Sequence, residues 1–252
     1  MTKRIIIIFA IAFSLFACNK KTNTEKNDNE NVLATAPETK PQYDNTTFGV
    51  YKGVIVGSSG YIVFRINNGD NIVKGYLTMD NQRDTLSTTF TIVPGQPLSN
   101  ILFIGKISSM RVSANADGSN ASLSNIQING HNNVTGFIAH EKSTRQVLCY
   151  EGTFSGGASG IINATRVGLS SNSDSTYILA KVQSVNDTTL YRGYGAMRRD
   201  TTVTIYLMDP GNNTAQFKVD GIFNTGNYNP NTFNGTWTGG YGNGNFTTKR
   251  TY

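Results

Sequence analysis

"GTFSGGASGIINATR" spans Gly152–Arg166, and "GTWTGGYGNGNFTTKR" spans Gly235–Arg250. With the residues just before them, both follow one order. It runs aromatic, any residue, Gly, Thr, aromatic, hydroxyl, Gly, Gly, and then a second run closed by Arg. The first copy is Tyr150-x-Gly152-Thr153-Phe154-Ser155-Gly156-Gly157; the second is Phe233-x-Gly235-Thr236-Trp237-Thr238-Gly239-Gly240. A looser copy runs Tyr51-x-Gly53-Val54-Ile55-Val56-Gly57, and Tyr191-x-Gly193-Tyr194 begins alike. Each reads as a hairpin, two strands joined by glycines that accept positive φ. Residues two apart share a face of a strand, so a glycine between two aromatics leaves room for a ring or for a sharp bend. The repeat is therefore a building unit.

Working outward, the chain from Phe48 onward keeps this texture. Short runs of Val, Ile, Thr, Phe and Tyr alternate with clusters of Gly, Asn, Asp and Ser, and no 3.6-residue apolar stripe appears. Strands are predicted from Thr47–Val56 through Tyr61–Asn67, Ile72–Met79, Asp84–Val93, a long Leu102–Ala114, Ala121–Asn129, Val134–Glu141 and Val147–Ser155. The series continues from Gly160–Val167 to Asn245–Thr251. Asn68-Gly69, Asp117-Gly118, Asn129-Gly130 and Pro210-Gly211 supply turns. The expected class is all-β: an antiparallel β-barrel or β-sandwich built from repeated Gly-rich hairpins. "LSSNSDS" at Leu169–Ser175 is the best internal break. It allows two half-units, 47–168 and 175–252, or one continuous β domain.

The amino-terminal region has a different character. Lys3 and Arg4 precede an uncharged run, Ile5–Ala17, of signal-peptide length and shorter than a bilayer span. It ends Leu15-Phe16-Ala17-Cys18, which resembles the lipobox of bacterial lipoproteins. That resemblance implies a signal peptide over 1–17, cleavage before Cys18, and diacylglyceryl and acyl (palmitate-type) chains on Cys18 as a membrane anchor. Asn19 in place of aspartate points to the outer membrane. Residues 18–46, rich in Asn, Lys, Thr and Glu, read as a flexible polar tether. The net charge of +6 falls to about +4 without Lys3 and Arg4, and the basic residues are scattered, so no nucleic-acid partner is expected.

Two further resemblances concern the folded part. The Gly-Thr-Trp hairpin resembles the strand starts of calycin barrels such as avidins and lipocalins, although there the tryptophan belongs to the first hairpin. Phe48-Gly49-Val50-Tyr51-Lys52-Gly53 with Gly57-Ser58-Ser59-Gly60 is similar to modules of Bacteroidetes envelope lipoproteins. That likeness implies O-glycosylation at Asp-Ser/Thr sites, for which Thr85, Ser175, Thr188 and Thr201 are the candidates.

Catalytic patterns are sparse. His131 and His140 read as turn and strand-end residues. Glu141, Glu151, Asp209 and Asp220 are candidate carboxylates with no pairing in their spacing, and Glu151 is expected on the solvent side. Cys149 reads as a small buried apolar side chain. No cofactor or metal is expected. Tyr228, Phe233 and Trp237, in "NTGNYNPNTFNGTW", are candidate ligand-stacking aromatics. The expected function is a membrane-anchored, non-enzymatic binding or structural β module for a glycan, a small hydrophobic ligand or a protein partner. The alternatives are an envelope hydrolase and a transmembrane β-barrel.

Overall fold

A computed structural model describes residues 33–57, 59–170, 173–182, 189–196, 202–209, 211, 214–224 and 230–252. Its strands, in chain order, are β1 (Gly49–Val56), β2 (Ser59–Ile66), β3 (Val73–Met79), β4 (Gln82–Ser87), β5 (Leu98–Ile104), β6 (Ser108–Ala114), β7 (Ser122–Ile128) and β8 (Thr135–His140). The second half holds β9 (Val147–Gly156), β10 (Gly160–Ser170), β11 (Ser173–Val182), β12 (Leu190–Ala196), β13 (Thr202–Met208), β14 (Ala215–Phe223), β15 (Thr232–Gly239) and β16 (Gly242–Arg250). All pairings are antiparallel, as the hairpin reading requires.

β1–β8 form one sheet in the order β7-β6-β5-β4-β3-β2-β1-β8, while β9–β16 close into a barrel through pairing of β16 with β9. The first sheet also curls towards closure. A side chain at Gly136 of β8 would lie 2.9 Å from Leu123 Cδ1 of β7. Each sheet folds its alternate apolar side chains inward. Tyr51, Ile62, Phe64, Leu77 and Phe103 fill the first, and Tyr150, Ile178, Ile205, Val219 and Phe246 fill the second. The architecture is barrel, not sandwich.

The glycine repeat now has a physical account. A methyl at Gly53 would fall 1.7 Å from the Phe137 carbonyl oxygen. At Gly152 it would fall 1.9 Å from that of Thr247, and at Gly235 2.0 Å from that of Asp220. Each glycine sits where a neighbouring strand crosses too closely for any Cβ, which is how a sheet coils tightly enough to close. The turns follow suit, with Gly156 at φ +132° and Gly242 at φ +107°. In the first sheet Asn and Asp share the left-handed positions with glycines: Asn67, Asp80, Asn100 and Asn125 stand beside Gly69, Gly118 and Gly130. Asn100 lies in the β5–β6 register shift.

Three expectations need correction. The sheets change over between β8 and β9, whereas Leu169–Ser175 falls at the β10–β11 hairpin. Strands 147–168 therefore belong with the second sheet. The long strand expected over Leu102–Ala114 is two, because Asp84 of β4 accepts hydrogen bonds from the Lys106 and Ile107 backbone N–H groups and forces a turn there. The polar tether expected over 18–46 is packed in its last part. Thr39 is buried and its hydroxyl accepts from Val50 N–H, while Asn68 accepts from Lys40 N–H and donates to the Glu38 carbonyl.

The two barrels share a seam within one compact unit of residues 32–252. All eight residues of β1 are buried, because its outer face is covered as well as its inner one. Val50, Val54 and Val56 of that outer face pack with Tyr61, Val63, Cys149 and Leu179. A fully buried side chain of this size contributes roughly 1.5–3 kcal/mol. Phe137 of β8 stacks on Tyr177 of β11 with centroids 3.8 Å apart.

Candidate functional site

The closed barrel is filled unevenly. One half is a block of rings: Phe233 stacks on Phe223 at 4.3 Å and meets Phe246 at 5.0 Å, and Tyr150 leans on Phe223 at 5.4 Å. Tyr150 anchors the block by donating its hydroxyl to the Pro230 carbonyl. The other half holds a narrow apolar pocket, with about 290 Å³ of empty space when the open solvent at its mouth is included.

Every strand of the barrel except β16 sends one or two side chains to the pocket wall. Phe154, Ile162, Ala180 and Tyr191 come from β9–β12; Leu207, Phe217, Val219 and Trp237 come from β13–β15. The rings meet edge to face, Phe154–Trp237 at 5.8 Å, Phe217–Trp237 at 5.5 Å and Tyr191–Phe217 at 4.7 Å, the arrangement their quadrupoles favour. Trp237 donates its Nε1–H to the Ser155 carbonyl, so its polar edge is satisfied and its ring is left to the pocket. Tyr241, 46 % exposed, stacks on Phe217 at 5.7 Å and brings that aromatic wall to solvent. Among the described residues, no carboxylate, imidazole, amine or thiol lines this wall. The described lining is apolar side chains and aromatic rings, with the Tyr191 phenol among them.

The carboxylates sit elsewhere. Glu141, in the β8–β9 connection, has no solvent exposure and accepts from Lys52 Nζ at 2.7 Å, from Glu38 N–H at 2.7 Å and from Val147 N–H at 3.0 Å. Glu38 adds its own carboxylate to Lys52 at 2.9 Å and accepts from the Tyr252 hydroxyl. Burial pushes the Glu38 carboxyl up, but Lys52 and Arg65 outweigh it and hold it below its ordinary value. Glu151 does face away from Tyr150 and Phe154, yet its side is not solvent. The first sheet covers it: Ser59 of β2 donates to Oε2, and Oε1 is buried without a partner. Burial raises the Glu151 carboxyl to about 7. Asp220 is tied to Lys218 and Thr204 at 2.6 Å each, and Asp209 caps its own loop at Gly211 N–H.

The other candidates divide as follows. Phe233 belongs to the ring block, fully buried, and is not a ligand platform. Trp237 lines the pocket. Cys149 is buried as expected, at the seam. His140 is not an exposed strand end but is buried, stacked on Tyr51 at 4.6 Å, with Nε2 2.9 Å from the Phe48 carbonyl and Nδ1 unpartnered. Burial lowers it to about 4. His131 is in its turn, 3.4 Å from Asp80. Thr85 is exposed on β4 and Ser175 is half-buried on β11. Cys18, Tyr228, Thr188 and Thr201 lie outside the described residues.

Sequence reading missed most of the pocket. Leu207, Val219 and Phe217 belong to ordinary alternating strands, and only closure of the barrel aims them at one space. No family model matches this chain, and neither does any curated protein or solved structure.

Proposed function

We propose that this chain is a lipid-anchored envelope protein of the outer membrane whose folded part is a non-enzymatic binding module, with the interior of the β9–β16 barrel as its ligand site. The observation that carries the binding role is the apolar pocket walled by Trp237, Phe217 and Phe154. The room inside is about that of one water, so a bound molecule would insert a slender apolar end past the mouth, the tip of an acyl chain or the edge of a ring. The anchor rests on Leu15-Phe16-Ala17-Cys18 and the polar segment after it.

The faces of the barrel weigh against a lipid-spanning role. β13 turns Val203, Ile205 and Leu207 inward and Thr202, Thr204 and Tyr206 outward; β16 turns Phe246 inward and Asn243, Asn245 and Thr247 outward. Transmembrane barrels carry the reverse pattern, apolar outside and polar inside. The engagement of Glu141, Glu151, Asp209 and Asp220 in structural contacts likewise lends the hydrolase reading no support.

Trp237 is the chain's single tryptophan, so its emission reports the pocket directly. Titrating the protein with short fatty acids and small aromatic compounds should give a saturable change in emission, lost in Ala180→Phe, which fills the cavity. A flat response across the panel would overturn the binding role. Cys18→Ala should release the protein from the membrane fraction; recovery of that variant still anchored would overturn the anchor.

A further inference from the structure

Opposite the seam, the first sheet carries a face that the binding reading does not use. β5 is four strands from β1 whichever way the curled sheet is followed, so its outer side points away from the second barrel. Leu102 and Ile104 project from it, 37 % and 54 % exposed. Ser87 pairs with Ile104, and Pro97 leads into Leu98 at the other end of β5. The connection 88–97 therefore runs the length of that strand. Ile92 of the connection is buried in the core and pins it, while Phe90 and Val93 are left 64 % and 52 % exposed.

The strands of this face carry charges of one sign. The outward residues of β3–β6 include Lys74, Arg83 and Arg111 and no Asp or Glu; of the turns, β5–β6 exposes Lys106, and β3–β4 exposes Asp80, which faces His131 at 3.4 Å. The carboxylate of these strands, Asp84, is turned inward to hold Lys106 N–H, Ile107 N–H and the Ser108 hydroxyl. Exposed apolar side chains ringed by cations form the pattern of a surface that enters the headgroup region of an anionic bilayer.

We propose that this face docks the protein on an anionic lipid surface. The proposal rests on the lipid-anchor reading, which places a bilayer within reach. Residues 19–32 could span at most about 50 Å at ~3.5 Å per residue, enough for the face to meet the bilayer that holds Cys18. Docked so, the second barrel lies on the side away from the membrane.

The test uses the full lipidated chain in vesicles, with an environment-sensitive thiol dye on Phe90→Cys and, as control, on Thr238→Cys of the second barrel. Cys149 is fully buried and does not compete for the dye. In vesicles containing phosphatidylglycerol, the dye at position 90 should shift to the blue. Its quenching by aqueous iodide should fall about fivefold relative to phosphatidylcholine vesicles, and Lys106→Gln should cancel about that factor, the share of one cation at a charged surface. A dye at 90 as open to iodide as that at 238, on vesicles with which the protein floats, overturns the proposal. So does a blue shift that grows with protein concentration without vesicles, which would mean a second copy covers the face. A glycan found on Thr85, in the middle of the face, also overturns it. If the protein does not float, the anchor reading falls by itself. The same protection is then expected when anionic vesicles are added in excess, and its absence there overturns the docking face.

Discussion

Lys52 Nζ lies 2.7 Å from Glu141 Oε1, and the two side chains are 1 % and 0 % exposed. Lys52 stands on β1 of the first sheet; Glu141 follows directly on β8 of that sheet, its N–H bonded to the Val50 carbonyl, and its carboxylate reaches the second barrel by accepting from Val147 N–H of β9. Glu38 closes the knot from the segment that leads into β1. The buried pair is thus a joint between the barrels.

Removing one partner strands the other charge. Lys52→Met should cost about 3–5 kcal/mol, read from urea unfolding. The double variant Lys52→Met/Glu141→Gln should lose clearly less than the two single losses added together. Strict additivity would show that the pair does not act as a unit.

Two groups give stability opposite pH dependences. The Glu151 carboxyl, about 7 in the folded chain, keeps its proton there while the unfolded chain has lost it above its ordinary 4.5. The folded state binds more protons in that window, so this contribution is full below 4.5 and is lost as pH rises through 7. His140, lowered from 6.5 to about 4, works the other way, and its contribution is lost as pH falls through that range. Glu151→Gln should therefore make stability rise with pH between 4.5 and 6.5, and His140→Gln should make it fall. Unchanged melting profiles in both would refute this account.

The crossing glycines are close to irreplaceable. Gly53→Ala, Gly152→Ala or Gly235→Ala each drives a methyl to within 2.0 Å of a backbone oxygen and should cost about 3 kcal/mol or abolish folding. Gly240→Ala, with nothing within 4 Å, should stay within about 0.5 kcal/mol. Comparable losses at Gly240 and Gly152 would mean that close crossing is not what the repeat provides.

Asp84 shapes the turn that separates β5 from β6. Burial raises its carboxyl, but the Ser108 hydroxyl and the N–H groups of Ile107 and Lys106 outweigh it and hold it below the ordinary 3.8. Its support is therefore present above that value and fades as pH falls below it. Asp84→Ala should cost about 2–4 kcal/mol at neutral pH and deprotect the Lys106 and Ile107 amides in hydrogen exchange. Protected amides in that variant would show that the turn holds without its cap.

Much of the architecture is written locally. Alternating runs between Gly and Asn turns determine strands, and the aromatic-x-Gly phrase determines hairpins, because strand period and left-handed φ are properties of a few adjacent residues. Trp237 was legible as an inward-facing ring of the last hairpin, and it stands in the pocket wall. Tertiary structure alone decided the rest. The end of β5 depends on a carboxylate some twenty residues upstream, Phe233 is packed away because β14 and β16 lay rings on it, the seam covers Glu151, and Tyr51, Phe48 and the turn at Gly118 enclose His140. Burial of this kind depends on which surfaces meet across long stretches of chain, and a local pattern of residue types carries no record of that meeting.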